Sequence, residues 1–188
     1  DTTYSLHIIE NKRCVLVKES SDASYIPSQK ITLFLSLIKK DNFELVAEKA
    51  TELSVTTIVP ILSERSEKKS LNEERLIRIV IEAAEQCGRG DIPHIGKIQK
   101  LSDVLATFPN NSSAFLMQMD GKPLHEVKIT SITPNEPISF FIGPEGGWSN
   151  AEEELFKEHD ITSISLGRTV LRAETAAIAA LALLGRYS

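Results

Sequence analysis

The chain has few cysteines and none of the common sequence patterns of a metal site. Its 188 residues include two cysteines, Cys14 and Cys87, which lie far apart and outside any CxxC pattern. The four histidines are scattered, and no HExxH pair occurs. Metal ligands usually occur at short, regular spacings because they converge on one ion. We therefore expect no bound metal. The low number of cysteines also indicates a reducing, cytoplasmic environment.

The chain also lacks long hydrophobic runs and an excess of positive charge. No apolar stretch reaches the length of a membrane span, so we expect no membrane partner. The net charge of −5 argues weakly against nucleic acid, because phosphates attract a basic surface. Net charge does not show which face carries which sign, however. Local groups of cations occur at Lys39 and Lys40, at Arg65, Lys68 and Lys69, and at Arg75, Arg78 and Arg89.

Three common enzyme motifs are missing as well. The dinucleotide-binding pattern GxGxxG does not occur, and neither does the P-loop pattern GxxxxGK[ST]. The GxSxG turn that carries the nucleophile of α/β-hydrolases is also absent. Any glycine-rich loop in this chain is therefore expected to hold a ligand by backbone contacts rather than by a phosphate cradle or a metal.

Most of the chain consists of apolar strands that alternate with amphipathic helices. Continuous apolar runs are typical of strands buried on both faces, and apolar residues at helical spacing are typical of helices packed on a sheet. The pattern predicts an α/β fold with a mostly parallel sheet and helices on both faces. The predicted strands are 31–37, 57–62, 113–119, 138–142 and 161–166, and the predicted helices are 42–53, 73–86, 151–159 and 173–185, with a polar loop over 120–137.

The two ends of the chain differ from this alternating region. Apolar residues over 4–9 and 13–18 predict a hairpin, and the polar stretch 20–28 is typical of a linker. The chain opens at Asp1 without a methionine, so we expect a preceding N-terminal portion. The predicted last helix is apolar on nearly every side, which indicates burial on more than one side. It is either a core helix or a helix shared between the core and a subunit interface.

Two loops carry the clearest indication of a functional site. Residues 140–149 and 166–175 each begin with the end of an apolar strand, continue through a loop and end at a helix start. Loops at the carboxyl ends of neighbouring parallel strands form the edge where open α/β sheets bind ligands. Three glycines allow close approach of the backbone to a ligand, and Pro144 stiffens the turn. The charged residues on these loops are Glu145, Arg168, Arg172 and Glu174.

Five segments of the chain together resemble one enzyme family. They are IGPEGGWSNAEEE at 142–154, LGRTVLRAETAA at 166–177, EKATEL at 48–53, SER at 63–65 and AAEQCGR at 83–89. The combination, which occurs in order within residues 29–188, resembles the RsmE family of the SPOUT superfamily. These enzymes methylate the N3 of a uridine in small-subunit (16S) ribosomal RNA.

The resemblance implies a fold, a cofactor and partners. It implies that residues 29–188 form a SPOUT methyltransferase domain with a C-terminal trefoil knot. Residues 1–26 would then be the last strands of a truncated PUA-like β barrel that binds RNA. The implied methyl donor is S-adenosylmethionine, the implied substrate is ribosomal RNA or the small ribosomal subunit, and the implied assembly is a homodimer.

The same resemblance assigns a wall of the cofactor site to each of three segments. The adenine and ribose would be held in the knot, largely by loop backbone, and Glu145 would orient the methionine end. An alternative is that Glu145 only completes the turn. The implied cofactor-binding residues are Met117, Gln118, Ile142, Gly143, Pro144, Glu145, Gly146, Gly147, Leu166, Gly167, Val170 and Leu171.

Arg172 and Glu174 are the expected catalytic residues. A guanidinium is a planar donor suited to the uracil or its phosphate, and Glu174 would orient that group or take the proton from N3. The alternative is a structural ion pair that caps the last helix. Arg168, Arg65 and Arg89 are the expected RNA-binding residues.

Several other functions fit the sequence less well. One is a SPOUT methyltransferase that acts on a ribose 2′-hydroxyl or on another base. Another is a non-catalytic RNA-binding module of the same fold, against which the intact glycine loop and the pair Arg172 and Glu174 argue. A third is an enzyme acting on a small molecule, which would need no basic face.

Overall fold

The computed structural model describes residues 2–9, 13–21, 24–109, 113–127 and 136–184. An antiparallel hairpin comes first, and it is followed by a seven-stranded sheet in the order β5-β4-β3-β8-β7-β9, with β6 also paired to β4. Every strand pair in the larger sheet is parallel. The strands are β1 Thr2–Ile9, β2 Arg13–Ser21, β3 Ile31–Ser36, β4 Thr57–Leu62, β5 His94–Ile95, β6 Gln99–Lys100, β7 Ser113–Pro123, β8 Ile138–Ile142 and β9 Thr162–Ser165.

Within the described ranges, five α-helices connect or follow these strands, and local signals explain where two of them begin or end. The side chain of Asn72 accepts a hydrogen bond from the N–H of Arg75 at the start of α2, and Gly88 ends that helix in the left-handed conformation. Ser149 and Glu152 form a capping box at the start of α4. The helices are α1 Lys40–Glu52, α2 Glu73–Cys87, α3 Leu101–Ala106, α4 Asn150–Glu158 and α5 Ala173–Leu184, and a 3₁₀ turn spans Leu124–Glu126.

The larger sheet is buried on both faces. Alternate residues of β3 point to opposite sides, so Leu33 and Leu35 pack with α1, α2 and α5 while Phe34 packs with α3 and α4. Phe34 also stacks on Phe141 of β8, with 4.5 Å between ring centroids. This two-sided burial confirms the predicted α/β fold with a mostly parallel sheet.

Helices α1 and α2 also contact each other through a charged pair. The Nε of Arg75 donates to Oε1 of Glu44 at 2.7 Å. This hydrogen bond lowers the pKa of the Glu44 carboxyl below its ordinary value, although partial burial acts in the opposite direction. The same interaction raises the pKa of Arg75.

The hairpin carries apolar side chains on its surface. Tyr4, Leu6 and Leu16 are each more than half exposed. Its second strand extends to Ser21, so two residues that the sequence assigned to a linker belong to a strand. Among the residues that the structure describes, no helix has the length and apolarity needed to cross a membrane.

The structure contains β5, β6 and α3, which were not predicted, and it extends β7 beyond its predicted end. The sequence predicts a strand over 113–119 and a polar loop from 120 onwards, but β7 continues to Pro123. Its final residues pair with β9, because both Met117 and Lys122 lie opposite Ile164. The predicted loop over 128–135, like the predicted end of the last helix at 185, lies outside the described residues.

Gly121 makes this return of β7 to β9 possible. A Cβ atom at Gly121 would lie 2.6 Å from the backbone nitrogen of Ile164 and 2.7 Å from its carbonyl carbon. These are backbone atoms of a paired strand, so they cannot move aside as the end of a flexible side chain could. Glycine is therefore required here by the close approach of two strands.

We predict that Gly121→Ala destabilises the protein by about 1–3 kcal/mol, the usual cost of inserting atoms into a packed site. Thermal unfolding should show a melting temperature lower by roughly 2–4 °C for each kcal/mol. Gly146→Ala is the control, because a Cβ there lies 3.4 Å from its nearest neighbour, which is ordinary contact. An unchanged melting temperature for Gly121→Ala would contradict the close approach.

Candidate functional site

Three segments converge on a cavity at the carboxyl edge of the sheet. Two are the loops after β8 and β9, and the third is residues 117–119 within β7, which lies between those two strands. The loops after β8 and β9 therefore share one edge as predicted, but their strands are not direct neighbours. The cavity has a volume of ≈ 450 Å³, which lies within the ordinary range of small-molecule sites.

The cavity brings together most of the predicted cofactor-binding residues. Gly146 does not line it, and its carbonyl instead accepts a hydrogen bond from Arg65. Arg65 and Arg172 also line the cavity, whereas Arg168, Glu174 and Arg89 do not. The predicted residues in the lining are Met117, Gln118, Ile142, Gly143, Pro144, Glu145, Gly147, Leu166, Gly167, Val170 and Leu171.

The conformation of residues 143–149, here called the glycine loop, depends on two of its glycines. Gly147 has a φ of +69°, a backbone conformation that side chains with a Cβ rarely adopt. A Cβ at Gly143 would lie 3.0 Å from Nε1 of Trp148, so the indole packs directly against the loop backbone. Trp148 is 4% exposed and packs edge-on against Phe156 of α4. The indole thus fixes the loop between the cavity and the next helix.

Glu145 connects the glycine loop to the start of α1. Its Oε1 accepts a hydrogen bond from the backbone N–H of Lys39 at 3.3 Å. Lys39 is the N-cap of α1 and provides no side-chain cap of its own. A carboxylate near the N-terminus of a helix is stabilising, because that end carries partial positive charge. Glu145 therefore orients the loop as well as lining the cavity.

A polar network crosses the wall formed by β7 and α4. The amide nitrogen of Gln118 donates to Oε1 of Glu153 at 2.9 Å. The hydroxyl of Ser163 donates to the amide oxygen of Gln118 at 3.4 Å. Glu153 also lines the cavity, and it was not among the predicted site residues. Its place in the first turn of α4, directly after the glycine loop, is the signal that could have identified it.

Arg172 and Glu174 lie where α5 begins. Their closest charged atoms, Nη1 and Oε1, are 3.9 Å apart, and the side chains are 83% and 12% exposed respectively. Such a long pair with one exposed partner contributes little to stability. The second carboxylate oxygen of Glu174 is buried and has no hydrogen-bond partner among the described residues. The pair therefore combines an exposed cation that lines the cavity with a buried carboxylate oxygen that has no hydrogen-bond partner in the described part of the chain.

Arg89 was expected to bind RNA, but the structure buries its side chain. Its side chain is 2% exposed. Nη1 donates to the carbonyls of Thr51 and Val55, each at 2.9 Å, and Nε lies 2.9 Å from Oδ1 of Asp91. The guanidinium therefore connects the end of α1 to the segment after α2 and has a structural role.

The described residues contain no group of three or more histidines, cysteines, aspartates or glutamates arranged to hold a metal ion. The polar groups around the cavity are instead backbone atoms of the loops and isolated charged side chains. Such a lining suits an organic molecule with an apolar body and a few polar positions.

Comparison with known proteins defines the class to which this fold and cavity belong. A family model described as an RNA methyltransferase domain matches residues 26–185. Two solved structures that are about 30% identical to this chain contain bound S-adenosylmethionine. One is a methyltransferase from Legionella pneumophila, with 30% identity and a TM-score of 0.82 over 99% of this chain and 78% of that one. The other, from Neisseria gonorrhoeae, is a ribosomal RNA small subunit methyltransferase E with 31% identity and a TM-score of 0.79, over the same shares of the two chains.

Curated relatives identify the particular family. The ribosomal RNA small subunit methyltransferase E of Rickettsia conorii is 38% identical over 92% of this chain and 70% of its own length. The corresponding protein of Aquifex aeolicus is 32% identical over 95% of this chain and 78% of its own length. The chain belongs to the ribosomal RNA small subunit methyltransferase E family, as the sequence motifs had indicated.

Proposed function

We propose that this protein transfers a methyl group from S-adenosylmethionine to the N3 of a uridine in small-subunit (16S) ribosomal RNA. The observation that carries the proposal is the cavity enclosed between the glycine loop and residues 166–172. Membership of the family and the bound S-adenosylmethionine in two similar structures support the same reading.

The residues of the cavity fit S-adenosylmethionine. Ile142, Leu166 and Leu171 supply apolar surface for an adenine ring, and the loop backbones supply donors and acceptors for its edge and for the ribose. The molecule also carries a sulfonium and an ammonium group. Glu145 and Glu153 bring carboxylates to the lining, where they attract positive charge.

Bound S-adenosylmethionine supplies a methyl group on a sulfonium centre, which departs as a neutral thioether when the new C–N bond forms. The N3 of uridine carries a proton that must leave before or during attack. We assign its acceptance to Glu174, whose buried oxygen has no hydrogen-bond partner within the described part of the chain. Arg172 is assigned to the uracil carbonyl or the adjacent phosphate, where its charge stabilises the developing anion.

The proposal extends to the architecture around the site. We infer a trefoil knot of the SPOUT type in residues 29–188, and the return of β7 to β9 near Gly121 supports it. We also infer that residues 1–26 are the last strands of a PUA-like barrel, since β1 and β2 expose apolar side chains. A homodimer is supported by the alanine-rich α5. Arg168 and Arg172, which are both exposed, would face RNA, and the protein would act in the cytoplasm.

We predict that ribosomal RNA from cells lacking this gene has lost one N3-methyluridine in the small subunit. Mass spectrometry of nuclease fragments would locate the missing methyl group. Reintroducing the gene should restore the methyl group. Loss of a ribose 2′-O-methyl group would contradict the uridine assignment, and an unchanged set of methyl groups would favour a non-catalytic RNA-binding module.

Arg172→Ala should lower kcat/KM by about 100-fold or more, because a charge that stabilises the transition state is lost. Binding of S-adenosylmethionine, measured by calorimetry, should stay close to wild type. The matched control is Arg78→Ala on the exposed surface of α2, which should leave both values unchanged. If cofactor binding collapsed in Arg172→Ala, the role given to this side chain would be wrong.

Gly147→Ala should weaken binding of S-adenosylmethionine, whereas Gly146→Ala should have little effect. The left-handed conformation at Gly147 costs an alanine about 1–2 kcal/mol, so we expect an affinity lower by roughly tenfold. Gly146 has no positive φ, and a Cβ there meets Arg65 only at ordinary contact distance. Calorimetric titration of both variants tests the difference, and equal affinities would contradict it.

A further inference from the structure

Two loops at the carboxyl edge of the sheet are joined by side-chain hydrogen bonds. One is the glycine loop, and the other, here called the β4 loop, comprises residues 63–66. The Nη1 of Arg65 donates to the carbonyl of Gly146 at 3.0 Å and to the carbonyl of Trp148 at 2.9 Å. One guanidinium nitrogen therefore holds two carbonyls on one side of the glycine loop.

Glu152 joins the same two loops from the other direction. Its Oε1 accepts from the backbone N–H of Glu64 at 2.9 Å, and its Oε2 accepts from the N–H of Ser149 at 2.8 Å. Glu152 is 7% exposed, which is rare for a carboxylate unless its oxygens are hydrogen-bonded. A capping box would need only the two reciprocal bonds between Ser149 and Glu152. The additional bond to Glu64 extends the cap into a link between loops.

The β4 loop is itself held in a fixed shape. The hydroxyl oxygens of Ser63 and Ser66 are 2.7 Å apart, and the N–H of Ser63 donates to the hydroxyl of Ser66 at 3.3 Å. The N–H of Ser66 donates in turn to the carbonyl of Ser63 at 3.1 Å. A loop closed in this way can serve as a rigid support for Arg65.

The bonds of Arg65 specify what this side chain does. Both bonds leave Nη1, which lies in a rigid planar group and one bond farther from Cα than the ammonium of a lysine would. Both acceptors are backbone carbonyls of the glycine loop, and the residues that contribute them flank Gly147. The flanking carbonyls are thus fixed on either side of the residue with the strained backbone conformation.

We propose that Arg65 and Glu152 are positioning residues that together hold the glycine loop in the shape that receives the methyl donor. Arg65 then acts on the cofactor wall and makes no essential contact with RNA. The inference rests on the proposed function for its choice of S-adenosylmethionine as the probe. The mobility of the loop without any ligand is a readout that does not depend on that choice.

The test uses Arg65→Lys, which keeps the charge but loses the planar group, and Glu152→Gln, which places an amide where two N–H donors converge. Arg78→Lys on α2 and Glu154→Gln on the exposed surface of α4 are matched controls. Calorimetry gives the affinity for S-adenosylmethionine, and steady-state kinetics separates KM from kcat. Amide hydrogen exchange without ligand reports the opening of residues 145–149.

Both variants should bind S-adenosylmethionine about tenfold more weakly, which corresponds to about 1.4 kcal/mol. The KM for S-adenosylmethionine should rise while kcat falls by a smaller factor, because the loss is one of binding. Exchange in residues 145–149 should become faster in both variants and stay unchanged in both controls. The double variant should lose less affinity than the product of the two single fold losses, because both changes release the same contact between loops.

A third variant, Arg65→Gln, separates positioning from RNA binding. Removing a phosphate contact lowers the slope of log K against log salt by about one unit. We expect the slope for ribosomal RNA to match wild type, and a reduced slope would overturn the assignment. Wild-type affinity and exchange in Arg65→Lys and Glu152→Gln would also overturn it. If the wild-type protein itself failed to bind S-adenosylmethionine, the proposed function would fail, while the exchange result would still decide the role of the two residues.

Discussion

The parallel pairing of β7 with both β8 and β9 is the constraint on which the site depends. Met117 lies opposite Ile142 on one side and opposite Ile164 on the other, so Met117 is level with the ends of β8 and β9, although β7 itself continues to Pro123. The loops after β8 and β9 must therefore meet beside residues 117–119. A register slip of one residue would exchange the two faces of a strand, and burial on both faces strongly opposes such a slip. The core thus sets the position of the cavity before any loop residue contributes.

Loop conformation is the second requirement, and it is met by contacts rather than by local sequence alone. The glycine loop is bonded to Lys39 through Glu145 and to the β4 loop through Arg65 and Glu152. The indole of Trp148 packs against the backbone of this loop at Gly143 and edge-on against Phe156. These contacts come from α1, the β4 loop and α4, so three separate parts of the chain restrain one short segment. Such restraint reduces the conformational entropy that a ligand would otherwise have to remove on binding.

Sequence patterns predicted the parts of this structure that depend on local periodicity. The strand at 138–142 has the predicted bounds, because an apolar run flanked by Pro137 and Gly143 leaves little choice. The end of β7 was missed, because Gly121 and Pro123 are rare in strands and their pairing depends on β9, which lies far along the chain. The hydrogen bonds of Arg65 could not be predicted from the sequence, because the carbonyls that accept them lie 81 and 83 residues away along the chain. Arg89 was misassigned because a sequence shows charge but not burial.

The arginines of this chain differ in burial and in how many of their donors are already hydrogen-bonded. Some are structural, and others keep donors that can contact a ligand. Arg89 has a 2% exposed side chain and bonds to two carbonyls and to Asp91, so its guanidinium is buried and most of its donors are occupied. Arg172 has an 83% exposed side chain and, among the described residues, only a long ion pair with Glu174, so its donors stay accessible beside the cavity. An acidic protein can therefore act on a polyanion, since a few exposed cations at the right edge determine the local field. The net charge of −5 describes the whole surface, whereas recognition depends on the cations that remain unoccupied at the site.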